Sequence, residues 1–171
     1  MLLKDENRIF PSEILDTFDA WLFDLDGVVT DTARIHAKSW KEAFDEYLKQ
    51  RSLVTGETFK EFTIDVDYAG YVDGKPRYDG VDSFLRSRGI ELPWGEVQDR
   101  PETETVCGIG NRKNFRFNEI LKVEGADVFH TSIDLIKVLK DKGKRIAVVT
   151  SSKNCSAVLE SANLTDLFDA Q

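Results

Sequence analysis

The chain has 171 residues, of which 41% are hydrophobic and 32% charged, and its 31 acidic and 23 basic residues give a formal net charge of −8. This length allows one domain with a sizeable core, or one core with a smaller second lobe. The acidic balance argues against a non-specific nucleic-acid binder, and no stretch reaches the roughly 18 apolar residues that span a bilayer. A phosphate-binding enzyme is compatible with this charge because a divalent cation can supply positive charge.

The N-terminus and the cysteines predict a cytoplasmic protein. Residues 1–13 are too polar for a secretory signal. Cys107 and Cys155 lack the paired spacing of a disulfide framework or a zinc site, so we expect reduced, structural thiols. His36 and His130 lie far apart in sequence, so a histidine-based metal cluster is not expected. The sequence does not indicate an oligomeric state.

The first part of the chain predicts a short strand followed by a helix. Residues 1–18 form a polar lead-in, with a short helix expected near its end. The run AWLFDLD at 20–26 is short, mostly apolar and followed by glycine, which predicts a buried strand. A helix is then expected to begin near Asp31 or Thr32, because apolar residues recur at three- and four-residue steps. These residues are Ala33, Ala37, Trp40, Ala43, Phe44, Tyr47 and Leu48.

The middle of the chain, between residues 52 and 128, predicts a mainly helical insertion without a strong strand signal. Helices are expected within FKEFTIDVDYAGYV at 59–72 and within VDSFLRSRGI at 81–90, where Gly89 ends the second one. A third, basic helix is expected over 111–123. Its partly inward residues are predicted to be Phe115, Ile120 and Leu121.

The last part of the chain predicts a helix, a strand and a second helix. Thr131 or Ser132 is expected to cap the first helix, and Ser151 or Ser152 the second. The β-branched run RIAVVT at 145–150 is expected to form the strand between them. Short links between such elements are typical of a parallel sheet. The sequence therefore predicts an α/β fold.

The predicted division of the chain follows from these elements. Residues 1–33 and 128–171 are expected to form one α/β core. Residues 34–127 are expected to form a helical domain that interrupts it.

Acidic and hydroxyl side chains follow the two predicted strands. Asp24 and Asp26 end the first strand, and Thr150 and Ser151 follow the second. Ligands of open α/β sheets bind beyond the carboxyl ends of the strands, so these side chains converge if the strands are neighbours. The helix after Ser152 would direct free N–H groups at an anion such as phosphate. Two carboxylates would hold a hard cation such as Mg²⁺.

This set of side chains permits phosphoryl transfer. One carboxylate can attack phosphorus to form an aspartyl-phosphate, and the second can give a proton to the departing oxygen and later remove one from the attacking hydroxyl. A calcium EF-hand does not fit, because Val28 and Val29 stand where that loop needs an oxygen ligand and a glycine. A bare D-x-D pair is also compatible with a solvated turn, and Thr150 with an ordinary helix cap.

Two motifs resemble those of the haloacid dehalogenase-like phosphotransferases. FDLDGVVTDT at 23–32 resembles their first motif, D-x-D-G-x-[VIT]-x-D-[ST], and VVTSSKN at 148–154 resembles their second. DLDGVVTDTARIHAKSW and NRKN are similar to the β-phosphoglucomutase-like subgroup. The resemblance covers residues 19–171. It implies an incomplete Rossmann-like parallel-sheet core with an inserted helical cap domain, and Mg²⁺-dependent phosphoryl transfer on a small-molecule sugar phosphate.

The resemblance also implies roles for individual core residues. Asp24 is similar to the family's nucleophile and Asp26 to its general acid/base. Both are implied to lie at the Mg²⁺ site, where Asp26 is similar to the position whose backbone carbonyl binds the ion. Thr150 is similar to the hydroxyl that holds the transferring phosphoryl group. Ser151 and Lys153 lie beside it in sequence and share that implied phosphate-binding role.

Four residues of the insertion resemble cap and hinge residues of the family. His36 resembles a hinge-side residue that couples substrate binding to closure. Trp40 and Lys113 are similar to residues near the sugar or its distal phosphate, and Arg77 to an arginine that grips the non-reacting phosphate. Each residue also has a simpler structural explanation. His36 would lie on the face of a helix, Trp40 would pack in a core, and Lys113 and Arg77 would be solvated.

The family also carries a later lysine and a later acidic pair, which do not follow here. We therefore expect a C-terminally truncated product, a fragment or an interrupted gene. The resemblance predicts interconversion of β-glucose 1-phosphate and glucose 6-phosphate through a bisphosphate intermediate. One alternative is a sugar-phosphate phosphatase, in which water is the acceptor. Another is an inactive remnant that only binds a phosphosugar or a partner.

Overall fold

The computed structural model of this chain describes residues 12–150 and 152–171. Predictions for the lead-in before residue 12, and for Ser151 as a cap or phosphate ligand, lie outside the described residues. In chain order the elements are α1 (Ser12–Thr17), β1 (Ala20–Asp24), β2 (Thr30–Asp31), α2 (Ala33–Thr55), a π-helix (Ile64–Val72), α3 (Arg77–Ser87), α4 (Val106–Glu124), β3 (Asp127–Val128), α5 (His130–Asp141), β4 (Arg145–Val149), α6 (Cys155–Ser161) and a 3-10 turn (Thr165–Leu167).

The chain folds into two compact units. The described residues up to Thr32 form the first unit together with Ala126–Gln171, and Ala33–Gly125 form the second. The second unit is therefore an insertion between two parts of the first. The two crossings between the units are flanked in the first unit by β2 and β3, which pair antiparallel.

The first unit is built on a parallel sheet, as the sequence predicts. Strand β1 pairs with β4 in a register that runs from Ala20 opposite Arg145 to Asp24 opposite Val149. The C-terminal segment extends the sheet beyond β4, where Val148 N–H donates to the Ala170 carbonyl at 3.1 Å. The carboxyl ends of β1 and β4 therefore lie side by side.

Only one face of this sheet is covered by the described residues. Phe23, Ile146 and Val148 are buried, whereas Leu22 is 72% exposed and Val149 57% exposed. Successive side chains of a strand point to opposite faces, so the buried and exposed residues mark the two faces of the sheet. The prediction of a buried strand is thus wrong for the exposed alternate positions of β1.

The helix starts in this unit differ from the predicted caps. Helix α5 begins at His130, and Ser132, instead of capping it, donates its hydroxyl to the Val28 carbonyl at 2.6 Å. Helix α6 begins later than predicted, after Asn154, because Ser152 lies in a preceding turn and accepts the Asn154 N–H at 3.3 Å. Hydroxyl side chains commonly stabilise such turns in competition with helix capping.

The second unit is helical, with α2 and α4 packed together around an aromatic core. Helix α2 begins at Ala33, directly after Thr32, the later of the two predicted starts, whereas Asp31 belongs to β2. The rings of Phe44, Phe62 and Phe84 lie with their centroids 4.3–4.9 Å apart. Such ring pairs add about 0.5–1.5 kcal/mol beyond the area they bury.

Two predicted helices of this unit differ in form or extent. The segment 59–72 is helical only over Ile64–Val72, where it forms a π-helix instead of an α-helix. Helix α4 begins five residues before the predicted 111–123 segment, at Val106, after an N-cap in which the Thr105 hydroxyl accepts the Gly108 N–H. Helix α3 ends before Gly89, which has a φ of +69°, as predicted.

Candidate functional site

The first group of predicted site residues lies where β1 and β4 end. Asp24 is the last residue of β1 and stands opposite Val149, the last residue of β4. Thr150 follows directly, and its hydroxyl lies 3.5 Å from Asp26 Oδ2. The predicted convergence of the two acids with this hydroxyl is therefore present in the first unit.

A tight turn after β1 presents the two carboxylates. Gly27 has a φ of +83°, a conformation that residues with a Cβ rarely adopt, and its N–H donates to the Thr30 carbonyl at 2.8 Å. The Leu25 carbonyl accepts the N–H groups of both Val29 and Thr30. The chain thus reverses immediately after Asp26.

The two carboxylates have different surroundings. Asp24 is exposed, and its Oδ1 accepts the Leu25 N–H at 2.8 Å. Asp26 is half-buried, and its Oδ1 accepts a hydrogen bond from the hydroxyl of the fully buried Thr32. One acid is therefore accessible, whereas the other is held by hydroxyl groups. Thr32 was not among the predicted site residues, although it closes the D-x-D-G-x-[VIT]-x-D-[ST] motif.

A cavity of about 520 Å³ lies against the end of β4. Its lining residues are Val148, Val149, Thr150, Ser152, Cys155, Ser156 and Gln171. Lys153 is exposed in the turn before α6 and is not among them. Thr150 Oγ1 accepts the Ser152 N–H at 3.0 Å, which fixes the start of this turn. Ser152 and Cys155 are thus lining residues that the sequence did not single out as ligands.

Both cysteines are free thiols. Burial raises the pKa of Cys155, and the negative charge of Asp26 raises that pKa further. Burial also raises the pKa of Cys107, with contributions from Asp99 and Glu96. Only the thiolate is a good nucleophile or metal ligand, so the raised pKa values favour the predicted structural role of both thiols.

The carboxylates at the end of β1 fit a magnesium site with few protein ligands. Mg²⁺ is commonly bound through one or two carboxylates, with water and substrate phosphate oxygens completing its octahedron. Asp24 and Asp26 supply such a pair. Among residues 12–150 and 152–171, no three His, Cys, Asp or Glu side chains are grouped closely enough to hold a metal without other ligands.

The second group of predicted residues lies in the second unit, on α2 and α4. Lys113 is only 4% exposed, and its Nζ lies 2.8 Å from His36 Nδ1. The same ammonium lies 5.3 Å from the ring centroid of Trp40 and 4.9 Å from that of Phe117. Trp40 is buried and stacked on Phe44, so its packing role is evident. The helix predicted to be basic therefore places the charge of Lys113 in the interior instead of in solvent.

Arg77 is the first residue of α3 and reaches α4. Its Nη2 donates to Asn114 Oδ1 at 2.8 Å. Asn114 follows Lys113 directly on α4. Phe115, predicted to be partly inward, is 51% exposed, and Phe117 is fully buried in its place.

Comparison with known proteins identifies relatives of this chain. The sequence model of the haloacid dehalogenase-like hydrolases matches residues 18–171. A β-phosphoglucomutase of Mycobacterium tuberculosis is 50% identical over 145 residues, which are 85% of this chain and 55% of that protein. The chain thus spans about half the length of the curated relatives it matches.

Solved structures share the fold. The crystal structure of β-phosphoglucomutase from Clostridium difficile has a TM-score of 0.65 at 21% identity, covering 90% of this chain and 60% of that one. CbbY from Rhodobacter sphaeroides, solved in complex with xylulose-(1,5)bisphosphate, has a TM-score of 0.63 at 20% identity, with 90% and 62% covered. Among the described residues, no helix is both long and apolar enough to cross a membrane.

Proposed function

Because this chain belongs to the haloacid dehalogenase-like hydrolase family, we propose that it carries the nucleophile of an enzyme that transfers phosphoryl groups on sugar phosphates. The reaction we propose is the interconversion of β-glucose 1-phosphate and glucose 6-phosphate through a bisphosphate intermediate. The observation that carries the proposal is the convergence of Asp24, Asp26 and Thr150 at the carboxyl ends of β1 and β4. The 50% identity to β-phosphoglucomutase supports the choice of substrate class.

In the proposed reaction the exposed carboxylate of Asp24 attacks the phosphorus atom. The new bond joins a carboxylate oxygen to phosphorus, and the bond from phosphorus to the sugar oxygen breaks. Asp26 gives its proton to that departing oxygen. It later takes a proton from the hydroxyl of a sugar monophosphate that attacks the aspartyl-phosphate, which forms the bisphosphate and breaks the bond between Asp24 and phosphorus. The hydrogen bond from Thr32 and the nearby Thr150 hydroxyl orient Asp26 for both transfers.

The charge of the phosphate must be balanced next to two acids. Asp24 would hold Mg²⁺ through its carboxylate and Asp26 through its backbone carbonyl, and the bound ion would screen the nucleophile and the phosphate from each other. The Thr150 hydroxyl would hydrogen-bond the transferring phosphoryl group. Ser151 and Lys153 stay proposed phosphate ligands on the strength of the motif alone.

We propose that the second unit, expected over residues 34–127 and observed as Ala33–Gly125, acts as the cap that selects the sugar phosphate. Lys113 and Arg77 are the proposed contacts to the sugar and its distal phosphate. Lys113 lies on α4, and Arg77 reaches the next residue of that helix, Asn114, from α3. His36 is the proposed hinge-side residue, since it bonds the same lysine. Trp40 supports that lysine through its ring. The net charge of −8 supports a small-molecule substrate over nucleic acid, and we propose a cytoplasmic location for the reaction.

Two alternatives remain distinguishable by experiment. The family's description as hydrolases favours a phosphatase, in which water replaces the sugar hydroxyl as acceptor. The other alternative is a remnant that binds a phosphosugar or a partner without turnover. The choice of acceptor in such sites depends on how far closure excludes water.

The test is phosphorylation of Asp24. The 171-residue chain is incubated with Mg²⁺ and β-glucose 1-phosphate, and intact-mass spectrometry detects an adduct that hydroxylamine removes, as expected for an acyl phosphate. Asp24→Asn should abolish the adduct. Asp31→Asn, at an exposed acid of the same motif, should leave it unchanged.

The products separate the three possibilities. Glucose 6-phosphate supports the mutase, and free phosphate without isomer exchange supports the phosphatase. Binding of the sugar phosphate with no adduct on Asp24 supports the remnant and contradicts the proposed reaction.

A further inference from the structure

Helix α3 approaches α4 unusually closely where it begins. A Cβ atom added to Gly110 would lie 2.7 and 2.9 Å from Cδ1 and Cε1 of the Tyr78 ring, and 3.3 Å from Cδ of Arg77. Contacts below 3.0 Å are essentially absent for real Cβ atoms, so any side chain at this buried position would displace the ring. Gly110 is not among the glycines with positive φ. Its role is therefore to leave space, not to permit an unusual backbone conformation.

The Tyr78 ring is held in that space by directed hydrogen bonds. Its hydroxyl donates to Asn111 Oδ1 at 3.0 Å. The Asn111 amide donates from Nδ2 to the carbonyls of Val97, at 3.0 Å, and Asp99, at 2.8 Å. Because both donors of Nδ2 are engaged, Oδ1 is fixed toward Tyr78. The ring is thus located by steric contact along its edge and by a hydrogen bond at its tip.

Arg77 immediately precedes Tyr78, and its own side chain passes against Gly110. Its guanidinium reaches Asn114, which lies four residues after Gly110 and so on the same face of α4. A ring displaced from Gly110 would move the first turn of α3 and carry the guanidinium away from Asn114. Gly110, Tyr78 and Asn111 are therefore arranged to place one cationic side chain.

We infer that Gly110, Tyr78 and Asn111 are positioning residues that set the affinity of the second unit for a sugar phosphate by holding Arg77 at Asn114. The inference rests on the proposed function, in which Arg77 contacts the distal phosphate. The sequence motifs do not indicate this role for Gly110, Tyr78 or Asn111.

The experiment is a double-mutant cycle on the 171-residue chain, with binding of glucose 6-phosphate followed by NMR titration. Gly110→Ala should weaken binding about tenfold, the loss expected when a hydrogen bond to a charged group is misplaced. In the Arg77→Ala background the same substitution should change the affinity little, because coupled residues are not additive. Tyr78→Phe, which removes only the hydroxyl, should weaken binding about threefold, as for a neutral hydrogen bond.

Gly108→Ala provides the matched control. An added Cβ there would collide with the Thr103 carbonyl oxygen, so this variant strains the same helix without touching Arg77 or Tyr78. It should leave the affinity of the folded protein unchanged. Gly110→Ala weakening binding equally with and without Arg77, or not at all in a folded protein, would overturn the inference. If Arg77→Ala itself binds glucose 6-phosphate as tightly as the wild type, the proposed role of Arg77 fails first, and the inference fails with it.

Discussion

Lys113 Nζ and His36 Nδ1 lie 2.8 Å apart, joining α4 to the first turn of α2. The lysine is buried, and its ammonium is surrounded by the rings of Trp40 and Phe117. Such contacts contribute about 0.5–2 kcal/mol each, depending on how far the cation is desolvated. The pair thus holds a positive charge inside the unit that we propose selects the substrate.

Replacing this charge should affect binding more than folding. Lys113→Met keeps the length of the side chain and removes the cost of burying an ammonium, so the free energy of unfolding should change by less than about 1.5 kcal/mol. Binding of glucose 6-phosphate should weaken at least about tenfold, because a charge-assisted contact is lost. Lys122→Met, at a side chain 77% exposed on the same helix, should change neither quantity. Equal affinities of wild type and Lys113→Met in a calorimetric titration would remove Lys113 from the site.

The same contact predicts a single tautomer of His36. An ammonium can only donate hydrogen bonds, so Nδ1 must accept and the ring proton must lie on Nε2. Long-range ¹H–¹⁵N correlation spectra should show this tautomer near neutral pH. In Lys113→Met the preference should relax toward a mixture, and His130, whose ring is exposed at the start of α5, serves as an internal reference. A proton on Nδ1 of His36 in the wild type would contradict the structure of this pair.

A largely buried ion pair between Asp67 of the π-helix and Arg88 at the end of α3 should affect the stability of the protein in acid. Burial raises the pKa of Asp67, but hydrogen bonds from Thr63 and Arg88 outweigh this and hold that pKa below its usual value of 3.8. A carboxyl whose pKa is depressed by folding contributes stability above its unfolded pKa, and loses it as the pH falls through the folded pKa. Asp67 therefore contributes its full stabilisation near neutral pH, and this stabilisation is lost progressively as the pH falls below 3.8.

Asp67→Asn tests that contribution. Arg88, whose side chain is only 14% exposed, would lose its carboxylate partner, so we expect a loss of about 3 kcal/mol in the free energy of unfolding at neutral pH. The difference between wild type and variant should shrink as the pH is lowered below 3.8, measured by urea denaturation at each pH. Asp65→Asn, at an exposed position of the same π-helix, should have the same free energy of unfolding as the wild type at every pH. A pH-independent difference would contradict the assignment.

Thr32 should affect the reaction through Asp26. Thr32→Val preserves the shape of the side chain and removes its hydrogen bond to the carboxylate, which should cost about 1.5–3 kcal/mol of stability and slow phosphorylation of Asp24 at least about tenfold. Thr30→Val is the matched control, because that buried hydroxyl donates to the Leu25 carbonyl at 3.2 Å instead. It should destabilise the turn and leave the rate per folded molecule unchanged. Equal rates for the two variants would show that Thr32 only supports the turn.

The sequence predicts the features that depend on neighbouring residues. A short apolar run ending in Asp24 and Asp26, and a β-branched run ending before Thr150, are sufficient to predict two parallel strands whose ends meet. The turn at Gly27 and the end of α3 near Gly89 follow from the conformational freedom of glycine.

Features that depend on distant contacts are predicted less well. The first turns of α4 contain Gly108 and Gly110, whose low helix propensity conceals the true start of that helix. The space left by Gly110 is meaningful only because Tyr78, far away in sequence, occupies it. Likewise the burial of Lys113 depends on α2 packing beside α4, which no local pattern reveals.

The uncovered face of the parallel sheet has a consequence for the behaviour of the chain in solution. Leu22 and Val149 are both more than half exposed on adjacent strands, and β1 has one unpaired edge among the described residues. Parallel sheets are ordinarily covered on both faces, and an exposed apolar sheet with an open edge promotes association. We therefore expect the purified chain to bind a hydrophobic dye while folded, and to scatter light increasingly with concentration. Leu22→Lys should reduce both signals.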